Sequence, residues 1–208
     1  SSHEGSHVAE FGAGYAVPWL YRTMVQMGER IADEGALDEL ALRVLGSLPL
    51  ETADAGAAIT ILGYRLLALG RHEQVADLCN LVDAYSAIAS DNPHILRWKL
   101  SANYVAALLT LRCADRDRAA DYFEKVAQLD PLIFSPLLTT KTIAARFWRG
   151  VMHLVDGDAQ AARQSFLAGV EAARRALHAP DQNAIGDPEA PLTFGFQELA
   201  EVADMASQ

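Results

Sequence analysis

Small, aromatic and apolar residues recur at helical spacing in the middle of the chain. Within residues 114–131, Ala119, Phe123 and Val126 share one face at 3.6 residues per turn, while charged residues lie largely outside it. A single helix cannot bury such a stripe alone. The pattern therefore predicts a helix that packs against neighbouring helices.

The same arrangement of small and apolar residues recurs along the chain, and each copy follows a turn position. In one copy the matching positions are occupied by Gly157, Ala162, Phe166 and Gly169. In another, which matches more loosely, they are occupied by Gly70, Val75, Cys79 and Val82. A further copy starts at Gly35. Another small residue stands seven positions before each turn, which gives the pairs Gly28/Gly35, Gly63/Gly70, Ala107/Ala114 and Gly150/Gly157.

This combination resembles the tetratricopeptide repeat, which has a small residue in helix A, a turn glycine, and small and aromatic residues on helix B. The resemblance covers roughly residues 21–178. The turn positions are spaced by 35, 44 and 43 residues, and two long repeats of 43–44 residues are similar to those of bacterial members. The resemblance implies an all-α fold, a right-handed α-solenoid of stacked antiparallel helical hairpins with a C-terminal capping helix.

The predicted organisation divides the chain into four parts. Residues 1–11 are interpreted as a tag or disordered remnant, 12–178 as four helical hairpins, 179–187 as a loop and 188–208 as the capping helix. The capping helix carries a stripe at Phe196, Leu199, Val202 and Met205, which could cover the open end of a solenoid. Because little follows this stripe, we expect a piece of a longer protein.

Capping and turn signals predict where the individual helices begin and end. Thr52 or Asp54 starts a helix that runs to Gly70, and its partner occupies about residues 72–90. After the boundary at residues 91–93, one helix of about six turns follows. Ser135 with Pro136 starts another long helix that closes at Gly157, and the last helix of the repeats reaches about residue 178.

Composition and charge narrow the classes of function. Hydrophobic residues make up 51% of the 208 positions, enough for a continuous core, and no apolar run is long enough to span a membrane. The net charge of −10 is uneven: −8 for residues 1–91, +4 for 92–178 and −6 for 179–208. Because the net charge is negative, we expect no nucleic acid as partner, and because no apolar run is long enough we expect no membrane partner. We predict a cytoplasmic protein.

The sequence contains no recognisable catalytic or metal-binding motif. A zinc-protease helix needs a second histidine four residues after the first, but Ala76 occupies that position after His72. Cys79 and Cys113 lie in helical patterns and are predicted to be small buried residues. We therefore expect no cofactor and no enzymatic activity within this chain, which leaves open a catalytic domain outside it.

The resemblance implies a binding groove lined by helix A residues, and hence a protein-protein interaction module for a protein or peptide segment. The groove residues that it implies are Gln26, Glu29, Tyr64, Tyr104, Leu108, Arg112, Phe147, Trp148 and Val151. Such aromatic residues could instead pack against neighbouring helices. Large apolar residues are usual in the family where this chain has Asn103, Arg146 and Arg149, so the long helices could be rotated from the standard register.

Other functions stay open on the sequence alone. A rotated register could gather an anion-binding strip from Arg97, Lys99, Arg112, Lys141, Arg146 and Arg149. A ligand-sensing regulatory domain would enclose a small molecule in a closed pocket. A substrate-recruiting arm of a larger enzyme, such as a transferase, would use the same groove. The sequence also leaves homo-oligomerisation open.

Overall fold

The computed structural model describes residues 49–70, 74–134 and 138–178. Within these ranges the protein is all-helical, as predicted, and contains no strand. The six α-helices are α1 (Ala53–Leu69), α2 (Val75–Ala87), α3 (Pro93–Arg112), α4 (Arg116–Gln128), α5 (Thr139–Val155) and α6 (Ala159–His178). A short 3-10 helix, Pro131–Ile133, lies between α4 and α5. The predicted remnant, first hairpin, loop and capping helix lie outside the described residues.

The chain divides into two compact units between residues 102 and 103, within α3. The first unit, residues 1–102, includes α1, α2 and the first half of α3. The second, residues 103–208, includes the second half of α3 and the helices α4, α5 and α6.

In the first unit, α1 begins and ends at the predicted residues. The hydroxyl of Thr52 caps the helix by accepting a hydrogen bond from the backbone N–H of Ala55 at 3.2 Å. The helix ends at Gly70, whose φ of +64° lies in the left-handed region. A Cβ on Gly56 would lie 2.4 Å from the hydroxyl oxygen of Tyr85, so a glycine is needed where α1 approaches α2.

In the second unit, the stripe predicted on α4 is the centre of the core. Ala119, Phe123 and Val126 are fully buried, and the Phe123 ring meets the Tyr104 ring of α3 edge-on at a centroid distance of 6.2 Å. The stripe is buried because α3 and α5 both pack against this helix. The helical periodicity of the sequence is confirmed here.

Two turns of the second unit have the same construction. Ala114 and Gly157 both take positive φ values, 60° and 81°, and each is followed by an aspartate. The backbone N–H of Asp115 bonds to the carbonyl of Thr110 at 2.9 Å, and that of Asp158 bonds to the carbonyl of His153 at 2.8 Å. Both are Schellman-type helix ends, so each turn closes one helix and starts the next.

The helices α5 and α6 form a closely packed antiparallel hairpin. A Cβ on Gly150 would lie 2.4 Å from the ring of Phe166, and one on Gly169 would lie 3.4 Å from the Cβ of Arg146. The regular helix α5 begins at Thr139. The predicted start at residues 135 and 136 lies outside the described residues.

The two cysteines differ in exposure. Cys79 is buried on α2, as predicted, but Cys113 is exposed, so that prediction is wrong. Cys113 directly follows the last residue of α3 and lies in the turn before α4, outside the regular helices that form the core. None of the helices in the described part is long and apolar enough to cross a membrane.

Candidate functional site

One side of the α5–α6 hairpin exposes large apolar residues. Phe147 and Leu154 of α5 are 52% and 53% exposed, and Leu167 and Val170 of α6 are 55% and 54% exposed. Val151, one turn beyond Phe147, is half-buried. We call this surface the hairpin face and define it as Phe147, Val151, Leu154, Leu167 and Val170.

Helical periodicity places these residues on one side of the hairpin. Positions 147, 151 and 154 follow the i, i+4, i+7 pattern on α5, and 167 and 170 are neighbours on α6. The ring centroids of Phe147 and Phe166 lie 5.9 Å apart, which joins the α5 part of the face to α6. The hairpin face is therefore a continuous apolar surface across two helices.

The roughly opposite side of the hairpin packs against α4. Ala145 and Met152 are buried there, and the guanidinium of Arg149 lies 3.5 Å from the carboxylate of Glu124 on α4. Arg146 donates a hydrogen bond to the backbone carbonyl of Ala127 at 2.9 Å. Arg146 and Arg149 therefore take part in the packing of α5 against α4. Their contacts determine the rotation of α5 about its axis and hence which of its residues face away from α4.

A series of aromatic contacts connects the core of the second unit to the hairpin face. From Tyr104 and Phe123 it continues to Trp148, whose ring stacks on Phe123 at 6.4 Å between centroids. Phe147 meets Trp148 at 5.8 Å and an interplanar angle of 71°. The exposed Phe147 ring is thus held in position by the half-buried rings of Trp148 and Phe166, which lowers the conformational entropy that is lost when a partner binds.

Arginines flank the apolar residues of α6. Arg163, Leu167, Val170 and Arg174 fall at i, i+4, i+7 and i+11, so they lie along the same side of the helix. Arg163 is exposed and has no ion pair with any residue that the structure describes. Arg174 is largely exposed and pairs with Glu171 at 3.0 Å. The hairpin face therefore has basic positions at both ends of its α6 stripe.

The structure brings only part of the predicted groove to an accessible surface. Phe147 and Arg112 are exposed, and Leu108, Trp148 and Val151 are half-buried. Tyr64 and Tyr104 are buried, so their side chains belong to helix packing and are not available to a partner. For Tyr104 the cause is the contact with Phe123, and burial also raises the pKa of its hydroxyl. Gln26 and Glu29 lie outside the described residues.

Three residues of the hairpin face were missed by sequence reasoning: Leu154, Leu167 and Val170. The stripe of Ala162, Phe166 and Gly169 was predicted to be the buried side of α6. Leu167 and Val170 are additional apolar residues beside that stripe, and such an excess indicates a second contact surface on the same helix. That signal was present in the sequence.

The alternative basic strip does not form an accessible surface. Arg97, Lys99 and Lys141 are buried, and Arg146 and Arg149 are engaged with α4. The Lys99 ammonium donates a hydrogen bond to the carbonyl of Ile88, and burial lowers its pKa. Half of the proposed cations are thus inside the protein, where they cannot receive an external anion without rearrangement.

A pocket of about 300 Å³ lies in the second unit, between the end of α4, the 3-10 helix, the start of α5 and α6. Its charged groups are already paired, since Arg175 bonds to Asp130 at 2.6 Å and Arg146 bonds to the carbonyl of Ala127. The pocket is partly open to solvent. It differs from the closed pocket expected of a ligand-sensing domain.

Across the ranges that the structure describes, no group of three His, Cys, Asp or Glu side chains is placed to hold a metal ion. Comparison of the chain with protein-family models, with curated proteins and with solved structures gives no match.

Proposed function

We propose that the chain is a protein-protein interaction module, a tetratricopeptide-like stack of helical hairpins that binds a segment of another protein. The observation that carries the proposal is the hairpin face, a continuous apolar surface whose side chains are about half exposed. Contiguous exposed apolar surface flanked by charged residues is typical of protein-binding sites. The equivalent turns at Gly70, Ala114 and Gly157 support the repeat arrangement.

The shape and charge of the hairpin face favour a helical partner. Two antiparallel helices present a shallow groove between Phe147 and Leu154 on one side and Leu167 and Val170 on the other. An amphipathic helix with apolar anchors at i, i+3, i+4 and i+7 fits such a groove. Because Arg163 and Arg174 flank the α6 stripe, acidic residues beside the anchors would favour binding and orient the partner.

This proposal uses fewer of the sequence-predicted residues than the groove implied by the resemblance. Phe147 and Val151 belong to the hairpin face, and Trp148 supports Phe147 from beneath. Tyr64 and Tyr104 have no direct role because they are buried. A substrate-recruiting arm of a larger enzyme would use the same surface and differ only in the segment that it binds.

The test is a selection of binding peptides on the immobilised full chain. A display library of 20-residue amphipathic helices would be screened, and the enriched peptides measured against two variants. Val170→Asp places a charge in the centre of the face, and we expect at least about a tenfold loss of affinity, as for a hot-spot position. Ile133→Asp is the matched control, since Ile133 is 66% exposed but lies on the 3-10 helix.

The expected result is an enriched pattern of apolar anchors with acidic flanks, bound by the wild-type chain and by Ile133→Asp but not by Val170→Asp. Thermal unfolding of both variants would verify that each remains folded. Enriched peptides that bind Val170→Asp as tightly as the wild-type chain would overturn the hairpin face as the binding site.

A further inference from the structure

We propose that residues 194–208 of the same chain dock on the hairpin face and cover it until a partner displaces them. The docking stands on the properties of the face and of this segment. Its regulatory consequence, competition with a partner, rests on the function proposed above.

The first argument is apolar complementarity. Residues 194–208 place Phe196, Leu199 and Val202 at three-residue steps, which gives one apolar side to a helix of this sequence. Neither this stripe nor the hairpin face can remove its apolar area from water alone. Bringing the two together buries both, which is favourable in proportion to the area covered.

The second argument is charge complementarity. Residues 179–208 contain six acidic residues and no Lys or Arg, and three of the acids, Glu198, Glu201 and Asp204, lie in the proposed docking segment. The hairpin face has Arg163 and Arg174 beside its apolar stripe. Opposite charges at the edge of an apolar contact steer the encounter and disfavour the wrong orientation.

The third argument is reach. In the sequence, 15 residues, 179–193, separate the last described residue of α6 from the proposed docking segment. Such a connection spans up to roughly 50 Å when extended, whereas a helix of the length of α6 measures about 30 Å. The segment can therefore reach either end of the face. A short tether also gives it a local concentration on the order of millimolar, so even a weak contact would be populated.

Docking would set the affinity for an external partner. If the face is open in a fraction f of the molecules, the apparent dissociation constant of a partner increases by 1/f. A face that is open in about a tenth of the molecules would bind a partner about tenfold more weakly than an uncovered one. The segment would thus act as a built-in competitor for the binding surface.

Thiol labelling of the full-length chain tests the docking without a partner. Val170→Cys in a Cys113→Ser background places a reporter on the face, while Cys79 is buried. The rate of reaction with a thiol reagent would be measured with the native segment and with Leu199→Asp combined with Val202→Asp. We expect about a tenfold faster reaction in the second case, if the face is normally open in about a tenth of the molecules.

Two controls isolate the cause. Gln197→Asp adds a charge to the segment outside the apolar stripe and should leave the labelling rate unchanged. Ile133→Cys reports from outside the face and should react at the same rate with either form of the segment. Equal rates at Val170→Cys in both backgrounds would refute the docking, and protection that increases with protein concentration would show that a second copy covers the face instead.

Affinity measurements separate this inference from the proposed function. Peptides selected on the chain should bind the Leu199→Asp, Val202→Asp variant more tightly by the same factor as the increase in labelling rate. Faster labelling with no bound peptide would support docking and contradict the interaction function. Peptide binding with unchanged labelling would support the function and contradict docking.

Discussion

Gly150 and Gly169 show how single residues determine the packing of the last hairpin. Gly150 lies where the ring of Phe166 comes closest to the backbone of α5, and a Cβ there would be 2.4 Å from the ring. At Gly169 a Cβ would meet the Cβ of Arg146 at 3.4 Å, an ordinary contact. The close approach at Gly150 places Phe166 under Phe147 and thereby supports the hairpin face.

The two glycines therefore respond in opposite ways to alanine. We expect Gly150→Ala to lower the free energy of unfolding by about 1–2 kcal/mol, because the Phe166 ring must move and overpacking outweighs the gain in helix propensity. Gly169→Ala should raise the free energy of unfolding by up to about 1 kcal/mol through helix propensity. Urea denaturation of both variants checks this, and equal changes would contradict the packing argument.

At the level of elements, the turns decide where one helix ends and the next begins. Gly70, Ala114 and Gly157 occupy equivalent positions with positive φ, although only two of them are glycines. Asp115 and Asp158 then cap the following helices, accepting hydrogen bonds from the backbone N–H groups of Arg118 at 3.2 Å and Ala161 at 2.9 Å. Ala114 thus adopts a conformation that an L-residue with a Cβ rarely takes.

This strain gives a test at the turn. Ala114→Gly should raise the free energy of unfolding by about 1 kcal/mol, because glycine takes positive φ without steric cost. Gly157→Ala should lower it by about the same amount, and the loss is purely conformational since no atom lies within 4 Å of the added Cβ. Thermal and urea unfolding measure both; a destabilising Ala114→Gly would show that the turn conformation is not strained.

At the level of the whole molecule, both compact units bury a tyrosine hydroxyl. Tyr85 belongs to the first unit and Tyr104 to the second, and burial raises the pKa of each. The nearby charge of Asp54 raises the pKa of Tyr85 further. The Tyr85 hydroxyl makes no hydrogen bond with any residue that the structure describes. Each unit is therefore expected to lose stability when its tyrosine ionises.

The sign of the pH dependence follows from proton binding. Below the ordinary tyrosine pKa of about 10, both the folded and the unfolded chains keep the proton, and stability does not depend on this group. Above it the unfolded chain releases the proton first, so the free energy of unfolding decreases as pH rises.

Tyr85→Phe should reduce the decrease in the free energy of unfolding at alkaline pH. At pH 8 the free energy of unfolding should be unchanged or higher by about 1 kcal/mol, because the variant lacks a buried hydroxyl without a hydrogen-bond partner. Urea midpoints between pH 8 and 11 provide the measurement. A steeper alkaline decrease in the variant would contradict the assignment.

Much of the local structure was predictable because its causes are local. The cap at Thr52, the turns at Gly70 and Gly157, and the stripe of Ala119, Phe123 and Val126 all depend on residues close in sequence. The site was less predictable. Phe147 and Val151 were predicted to be accessible, but Tyr64 and Tyr104 are buried, and Leu154, Leu167 and Val170 were not identified.

Local sequence was sufficient to specify that this part of the chain is helical, where α1 ends, and which residues reverse the chain between helices, because periodicity, capping and left-handed φ are properties of a few adjacent residues. The packing between helices sets which side of each helix is covered. Arg146 and Arg149 bind α4 and leave Phe147 facing outwards, whereas Phe123 covers Tyr104. Which neighbour covers a side chain depends on residues distant in sequence, and these cannot be identified from the sequence of a single helix.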